Sequence, residues 1–492
     1  MNVSRRSFLE CMTLFAAGRA FAAPHGMFSG GSPELVFAAV SDVHIVHPKA
    51  NSKCGTQVFE RALDWYRQQG IDAVMIAGDI ADSGLVDELE MLGVAWRKMF
   101  PDDKAPDGRH VEKVFVTGNH DYEAWRYSAG TAKKLYPDEG DLEKHKLVSH
   151  YPETWESAFG EKYEPIYMKT IRGYKFIGSH WTDGRGRQWG NRLGAFLAAH
   201  GAELKGDKPF FYVQHPHLNG TVFNAKDGVV DDGVTTKELS SYPNAVAFSG
   251  HSHWSITDER SIWQGGFTSV NLGCLRRTGF CRTANAKGGG YENWRTPGTR
   301  RKVQSALKTN SLKAMPLYPA ANLCHHGSLV KVYSDRIVIE RLELTKMTHV
   351  ATDWVIPLAS SERPYDIDLR AAQAIAPQFA PDAKLAIERI ETKNRAGKTV
   401  SAVKLTFPAA NDVKGTRPFD YKIEIVDGDG KSTFRAVLAQ GVEYAQDSGA
   451  AIGPSHCILS LDTLPKGPLM FKVHPGECFG KLGNPIAAKF KC

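Results

Sequence analysis

Five short motifs contain the residue types that bind divalent metal ions and transfer protons. In chain order they are Asp42-Val43-His44, Gly78-Asp79-Ile80-Ala81-Asp82, Gly118-Asn119-His120-Asp121, His215 and Gly250-His251-Ser252-His253. They offer carboxylate and amide oxygens and imidazole nitrogens without thiolate, a set that suits Zn, Mn, Fe or a similar divalent ion. The candidate ligands are Asp42, His44, Asp79, Asn119, His215, His251 and His253.

These ligands are too many for one tetrahedral ion that must keep an open position. Two ions about 3.5 Å apart that share one carboxylate would use them all and would still admit a bridging hydroxide. Two cations lower the pKa of such a water, so that hydroxide is available near neutral pH. The residues therefore predict a binuclear metal centre that admits a bridging hydroxide.

Each motif lies where a predicted β-strand ends. The predicted strands alternate with helical stretches, at 57–69 with Phe59, Ala62, Leu63 and Tyr66 on one face and at 85–99, which is typical of an α/β fold. Ligands of open α/β sheets collect outside the carboxyl ends of the strands, so we expect the motifs to converge. The predicted strands cover 35–40, 73–77, 113–116, 175–177, 209–213 and 245–248.

The glycines of the motifs are explained by the backbone conformation that each turn requires. A strand that turns sharply at a metal needs a residue without Cβ. Alone, each motif is weak: the one at 118–121 could be a β-turn with an Asx bond, and His215, like His217 nearby, could be a surface histidine. We expect Asp82 to be a structural loop residue and not a direct ligand. Five motifs in order at strand ends favour one site.

The ordered series D-x-H, G-D-x-x-D, G-N-H-[DE], a lone His and G-H-x-H resembles the calcineurin-like binuclear metallophosphoesterase family over about residues 34–345. The resemblance implies a four-layer α/β/β/α sandwich and a small phosphate-ester substrate. It assigns one ion to Asp42, His44, Asp79 and His253. It assigns the other ion to Asp79, Asn119, His215 and His251, with Asp79 bridging.

The same resemblance gives the GNHD motif a role in the reaction. His120 would contact the phosphate and protonate the leaving-group oxygen. Asp121 would orient His120, as a carboxylate behind a catalytic or ligating histidine commonly does.

We expect a phosphoesterase, with phosphodiesters favoured over phosphomonoesters. A phosphomonoesterase or a nucleotide pyrophosphatase is the alternative within enzymes. An envelope binding module with a vestigial metal site is the alternative from another class. The intact ligand set counts against it, because a vestigial site should have lost at least one ligand.

The composition is ordinary for a globular protein. The chain has 492 residues, 42% hydrophobic and 23% charged, which excludes wholesale disorder. No apolar run is long enough for a membrane-spanning helix. The length predicts about three domain-sized units.

The N-terminus reads as a targeting segment. Residues 4–9, Ser-Arg-Arg-Ser-Phe-Leu, resemble a twin-arginine export signal, and Ala20-Phe21-Ala22 reads as its cleavage site. The alternative is a basic amphipathic first helix. Residues 1–22 therefore predict a partner, the twin-arginine export machinery, and a periplasmic or secreted protein.

The positive charge is concentrated in one segment, residues 275–308. Nine basic residues and one acid give it a net charge of +8, against +7 for the whole chain. It follows the GHSH motif, so we expect its root near the metals, where it would attract anionic substrates. A solvated loop far from the site is the alternative. Aromatic residues within it leave nucleic-acid binding open, but we expect no stable nucleic-acid partner.

After about residue 356 the sequence pattern changes from alternating strands and helices to short strand-like runs. We assign 31–358 to the catalytic domain, with 275–308 as a basic insert, and 370–492 to a small C-terminal all-β, sandwich-like domain. Because this domain supplies none of the ligands, we expect it to be self-contained and dispensable for chemistry. Eight cysteines leave pairing open: Cys274 and Cys281 could form a disulfide, or the thiols could be buried and free.

Overall fold

The structure of the protein is a computed structural model. It describes residues 31–47, 56–127, 129–182, 189–223, 230–276, 291–293, 301–303, 325–358, 362–393, 397–411, 418–439 and 453–491. None of the helices in these ranges is long and apolar enough to cross a membrane.

Two six-stranded sheets form the N-terminal part of the chain. The first has the order β14-β13-β12-β1-β2-β3, in which β1, β2 and β3 run parallel and β12, β13 and β14 antiparallel. Its strands are β1 (Leu35–Val40), β2 (Ala73–Ala77), β3 (Glu112–Val116), β12 (His326–Val332), β13 (Arg336–Glu343) and β14 (Thr348–Pro357).

The second sheet has the order β4-β5-β6-β7-β9-β8, with β5, β6, β7 and β9 parallel. Its strands are β4 (Ile166–Ile171), β5 (Tyr174–Ser179), β6 (Phe210–Val213), β7 (Ala245–Ser249), β8 (Ile262–Gln264) and β9 (Thr268–Asn271). Two short strands of the basic segment, β10 (Tyr291–Asn293) and β11 (Arg301–Val303), pair with each other.

Helices lie between the strands, as the alternation predicts. In α1 the buried side chains are those of Phe59, Ala62, Leu63 and Tyr66, one face at helical spacing. The α-helices are α1 (Gln57–Gln68), α2 (Val86–Met99), α3 (Asn119–Tyr127), α4 (Ala129–Leu135), α5 (Pro152–Phe159), α6 (Trp189–His200), α7 (Val234–Leu239) and α8 (Ile367–Gln373). Single 3₁₀ turns occupy Pro101–Asp103, Gly201–Glu203, Glu259–Ser261 and Leu461–Thr463.

The two six-stranded sheets share one apolar core. Phe37 of β1 contacts Phe176, Phe211 and Phe248 of the second sheet, with ring centroids 5.2, 4.9 and 5.9 Å away. Valines and isoleucines of β12 and β13 belong to the same cluster. This core holds the two sheets at a fixed spacing, and with them the motifs at their strand ends.

Strands also dominate the region after α8. A three-stranded antiparallel sheet has the order β15-β16-β19, and a four-stranded one has the order β18-β17-β20-β21. Their inward side chains form one hydrophobic cluster, which agrees with the predicted all-β character. The strands are β15 (Ala386–Lys393), β16 (Thr399–Phe407), β17 (Asp420–Val426), β18 (Ser432–Leu438), β19 (Ser455–Ser460), β20 (Pro468–Gly476) and β21 (Ile486–Lys491).

The core of this C-terminal region also includes side chains from the N-terminal part of the chain. Trp254, which directly follows the GHSH motif, is one of the buried residues of its core cluster. Phe223 packs against the same cluster. These two contacts were not predicted from the sequence, because neither residue carries a local pattern that identifies its partner.

The structure decides between a disulfide and a buried free thiol for only some of the cysteines. Cys457 and Cys478 are buried free thiols, and burial raises the pKa of Cys457 to about 12. Cys274 is buried, and its thiol donates to the carbonyl oxygen of Asp42. Cys281, its proposed partner, lies outside the described residues.

We expect Phe37→Ala to lower the free energy of unfolding by about 3–5 kcal/mol, because it removes the ring that contacts both sheets and leaves a cavity. Chemical denaturation followed by circular dichroism measures this loss. Phe196→Ala, at a half-buried ring on α6, is the control. An equal loss in the two variants would contradict the central position of Phe37.

Candidate metal centre

The predicted ligands converge at the strand ends of both sheets. Asp42 and His44 follow β1, and Asp79 follows β2. Asn119 begins α3 just after β3. From the second sheet, His215 follows β6, and His251 and His253 follow β7. Asp42, His44, Asp79, His215 and His253 are buried, while Asn119 and His251 are half-buried.

One group consists of Asp42, His44, Asp79 and His253, whose candidate ligand atoms all lie within 4.8 Å of one another. His253 Nε2 lies 2.9 Å from Asp42 Oδ1 and 3.1 Å from His44 Nε2. His44 Nε2 is 3.7 Å from Asp79 Oδ2. These are the four residues that the resemblance assigns to the first ion.

A second group consists of Asp79, His215 and His251. His215 Nε2 lies 3.2 Å from Asp79 Oδ1, and the ring of His251 is centred 4.7 Å from that of His215. Asp79 belongs to both groups, the place expected of a bridging carboxylate. The chain next to Asn119, the fourth predicted member, also approaches this group, because the amide of His120 donates to Asp79 Oδ1 at 2.8 Å.

The backbone is contorted at these ligands. Asp42, His44, Asp79, His251 and His253 all have positive φ, between 48° and 69°. This left-handed conformation is unfavourable for residues other than glycine and occurs mostly where surrounding contacts fix it. The chain therefore leaves the extended conformation of the strands at the point where it presents these predicted ligands.

Two motif glycines are required by close approach, which supports the reason given from the sequence. A Cβ on Gly118 would overlap Asp79 Oδ1, and a Cβ on Gly250 would overlap Ser41 Oγ. Both motifs pass against a neighbouring ligand loop at a distance that admits only hydrogen.

Hydrogen bonds orient the ligands. His215 Nδ1 donates to the carbonyl oxygen of Ala77 at 2.7 Å, which turns Nε2 toward Asp79. Asp42 Oδ2 accepts from the hydroxyl of Ser41 at 2.6 Å and from the amide of His251 at 2.9 Å, which leaves Oδ1 directed at His253. The nitrogen and oxygen atoms that could bind metal thus face inward, as metal ligands do.

The electrostatics of the site favour cations. Burial would lower the pKa of His44, but hydrogen bonds with Asp42 and Asp82 raise it to about 9. Burial would also lower the pKa of His215, but the negative charge of Asp79 raises it to about 9. Burial would raise the pKa of Asp79, yet the neighbouring histidines hold it well below its usual value. Two buried carboxylates and inward-facing imidazoles suit divalent cations.

Two residues of the GNHD motif make hydrogen bonds to the backbone of the neighbouring loops. Asp121 accepts three backbone hydrogen bonds, from Ile80, Ala81 and Gly118 at 3.1, 2.6 and 2.8 Å, and so ties the β2 and β3 loops together. Its contacts are therefore with backbone amides. His120 Nδ1 instead donates to the carbonyl oxygen of Asp82 at 2.5 Å.

Asp82 lies at the site, although the sequence suggested only a loop residue. Its Oδ1 is 3.2 Å from His44 Nδ1, and it also pairs with the guanidinium of Arg276. Burial would raise the pKa of Asp82, but His44 and Arg276 lower it to about 2. Asp82 thus links a predicted ligand to the predicted acid, His120.

Arg276 is a site residue that the sequence did not single out individually. It stands at the root of the basic segment, and its amide donates to the carbonyl oxygen of Asp42 at 3.2 Å. The root therefore lies beside the ligands, as expected. Apart from the strands β10 and β11, residues 277–324 lie outside the described part of the chain.

His217 is distinct from its neighbour His215. Its two ring nitrogens lie 2.8 Å from Ser249 Oγ and 2.7 Å from Ser252 Oγ. Burial lowers its pKa to about 3, so the ring is neutral. His217 therefore supports the GHSH loop.

We expect Asp79→Asn to reduce the binding of both ions, because Asp79 belongs to both groups, whereas His253→Ala should empty mainly one site. Metal content after dialysis, measured by inductively coupled plasma spectrometry, tests this. Asp72→Asn, at a carboxylate outside the site, is the control and should keep the wild-type content. One ion or none in active wild-type enzyme would contradict the binuclear arrangement.

Comparison with known proteins agrees with this geometry. A family model described as calcineurin-like phosphoesterase matches residues 35–255, which include every predicted ligand. No curated protein matches the chain.

Solved structures with partial likeness include a conserved protein of Streptococcus pneumoniae titled a predicted phosphoesterase (12% identity, 66% of this chain and 97% of that one, TM-score 0.26). GAP50, the anchor in the inner membrane complex of Plasmodium, is 11% identical over 69% and 93% of the two chains, with a TM-score of 0.34. Vacuolar Protein Sorting 29 of Cryptosporidium parvum is 11% identical over 66% and 98%, with a TM-score of 0.28. The match at residues 35–255 supports the calcineurin-like phosphoesterase family for this part of the chain.

Proposed function

We propose that the protein is a metal-dependent phosphoesterase of the calcineurin-like family, with two divalent ions bound by the seven predicted ligands. One observation carries the proposal: predicted ligands from four separate loops, those after β1, β2, β6 and β7, converge as two groups that share Asp79. The family match over 35–255 supports it. We also propose the four-layer sandwich for the catalytic domain, 31–358, with a C-terminal domain at 370–492.

Divalent ions bound there would supply a hydroxide nucleophile near neutral pH and would polarise the phosphoryl group. The side chains of the protein would hold the phosphate group and donate the proton. Asn119 would hold a non-bridging phosphate oxygen, and His120 would give a proton to the leaving oxygen. Asp82 would keep His120 Nδ1 occupied, so that Nε2 faces the substrate.

We favour phosphodiesters over phosphomonoesters, with a phosphomonoesterase or nucleotide pyrophosphatase as the alternative. Arg276 supports an anionic substrate, because its charge lies next to the site. Residues 1–22 would direct export through the twin-arginine machinery to the periplasm or outside the cell.

A hydrolysis panel tests the activity. Metal-loaded protein is offered p-nitrophenyl phosphate, bis-p-nitrophenyl phosphate, cyclic nucleotides and glycerophosphodiesters, with chelator-treated protein as the control. We expect turnover that is lost on chelation and is fastest with a diester. Bound metals without turnover of any ester would support a vestigial binding module instead.

We expect His120→Ala to lower kcat by roughly 10²–10⁴-fold, the usual effect of losing a general acid, while metal content is unchanged. The loss should shrink for p-nitrophenyl esters, whose leaving group needs little protonation. His150→Ala, at a half-buried histidine bonded to the carbonyl oxygen of Tyr122, is the matched control. Equal losses for p-nitrophenyl and alkyl esters would argue against the acid role.

Neutralising the basic segment should change KM for some substrates more than it changes the rate of the chemical step. We expect the triple change Arg300→Gln, Arg301→Gln and Lys302→Gln to raise KM for polyanionic substrates at low salt, since opposite charge raises the encounter rate. KM for bis-p-nitrophenyl phosphate should barely move. If KM for both substrates moves equally, or neither moves, the segment does not steer substrates.

A further inference from the structure

The segment that follows the last ligand is buried against the C-terminal region. Trp254 is adjacent in sequence to His253, only 2% of it is exposed, and it belongs to the hydrophobic cluster built by β15–β21. Phe223 meets its indole edge to face, with ring centroids 4.9 Å apart. Since consecutive Cα atoms are about 3.8 Å apart, the position of Trp254 limits the positions that His253 can take.

Hydrogen bonds fix the backbone and the indole of Trp254. Its amide donates to Ser252 Oγ at 3.1 Å, and its carbonyl oxygen accepts from Asn271 Nδ2 at 3.0 Å. The indole Nε1 donates to Asp258 Oδ2 at 2.8 Å. Trp254 is therefore held at three places: by the GHSH motif, by the end of β9, and by the turn that follows Trp254 in the chain.

Ion pairs with buried guanidinium groups anchor the turn that follows Trp254 to both parts of the chain. The carboxylate of Glu259 accepts from Arg341 of β13 and from Arg370 of α8, each at 2.8 Å. Arg260 pairs with Asp258, and its guanidinium lies over the ring of Phe419, 5.1 Å from the centroid. A buried ion pair whose partner is removed leaves an uncompensated charge, so these contacts resist movement.

His253 itself needs such support. Its φ of 57° is a left-handed conformation that a histidine does not favour. Outside the GHSH motif, the chain next to it is fixed by the contacts of Trp254. The conformation that directs His253 Nε2 at Asp42 therefore depends on where the indole is held.

We propose that Trp254 is a positioning residue for the metal centre, through which the core of the C-terminal region presents His253 to the ion shared with Asp42 and His44. The inference rests on the proposed function in requiring divalent metal at this site. The C-terminal region thereby sets the affinity of one ion, although it contributes no ligand.

Metal affinity of the full-length chain tests this inference. Wild type, Trp254→Ala and Trp254→Phe are stripped with chelator, checked for folding by circular dichroism, and titrated with Mn²⁺ in a calorimeter. We expect Trp254→Ala to weaken one of the two sites by about 10–100-fold, the usual cost of removing a group that orients a ligand, and the other site by less than about threefold. Trp254→Phe, which keeps most of the packing, should weaken the same site by an intermediate factor.

Trp96→Ala is the matched control. Trp96 is equally buried, in the core on α2, and its ring and hydrogen-bond partners Phe100, Phe115 and Asp103 are not predicted ligands, so both Mn²⁺ affinities should stay as in wild type. Wild-type affinity in folded Trp254→Ala, or an equal loss in Trp96→Ala, would overturn the inference. If Trp254→Ala does not fold, wild-type affinity in Trp254→Phe overturns it.

The readout separates this inference from the proposed activity. Wild-type protein that binds Mn²⁺ but hydrolyses no ester would refute the phosphoesterase and still allow Trp254 to be tested. Active wild type with unaltered Trp254 variants would refute only the positioning role.

Discussion

Two carboxylates buried at the ends of neighbouring parallel strands dominate the energetics of the site. Asp42 and Asp79 are almost completely shielded from water, and their strands, β1 and β2, lie side by side. Burying such charges without compensation is costly, so positive charge must be brought to them. The second sheet does this with His215 and His253, and the shared aromatic core around Phe37 keeps the two sheets close enough for the contact.

The sequence was sufficient to predict those features that depend on local patterns. The first strands, the two long helices α1 and α2, and the ligands at the strand ends follow from hydrophobic periodicity and from motif order. The pairing of Asp82 with Arg276 does not, because 194 residues separate them and neither is unusual in its own segment. The amide partners of Asp121 were not predicted for a related reason: backbone amides leave no trace in residue type.

Trp254 shows a different limit of sequence reasoning. A tryptophan after a ligand loop fits many environments, and its burial in a distant β-sheet cluster is a tertiary property. After the boundary proposed near residue 370, strands dominate the described residues. Yet the side chains of Arg370 and Phe419 cross that boundary in space to meet the turn after the GHSH motif.

The distribution of the ligands along the chain has a consequence for folding. His44 and His253 are 209 residues apart in sequence, yet their Nε2 atoms are 3.1 Å apart. An ion bound by both closes a very long loop, as a disulfide would, and it binds only the folded chain. Metal would thus act as a reversible crosslink between the two halves of the catalytic region, so that they unfold together.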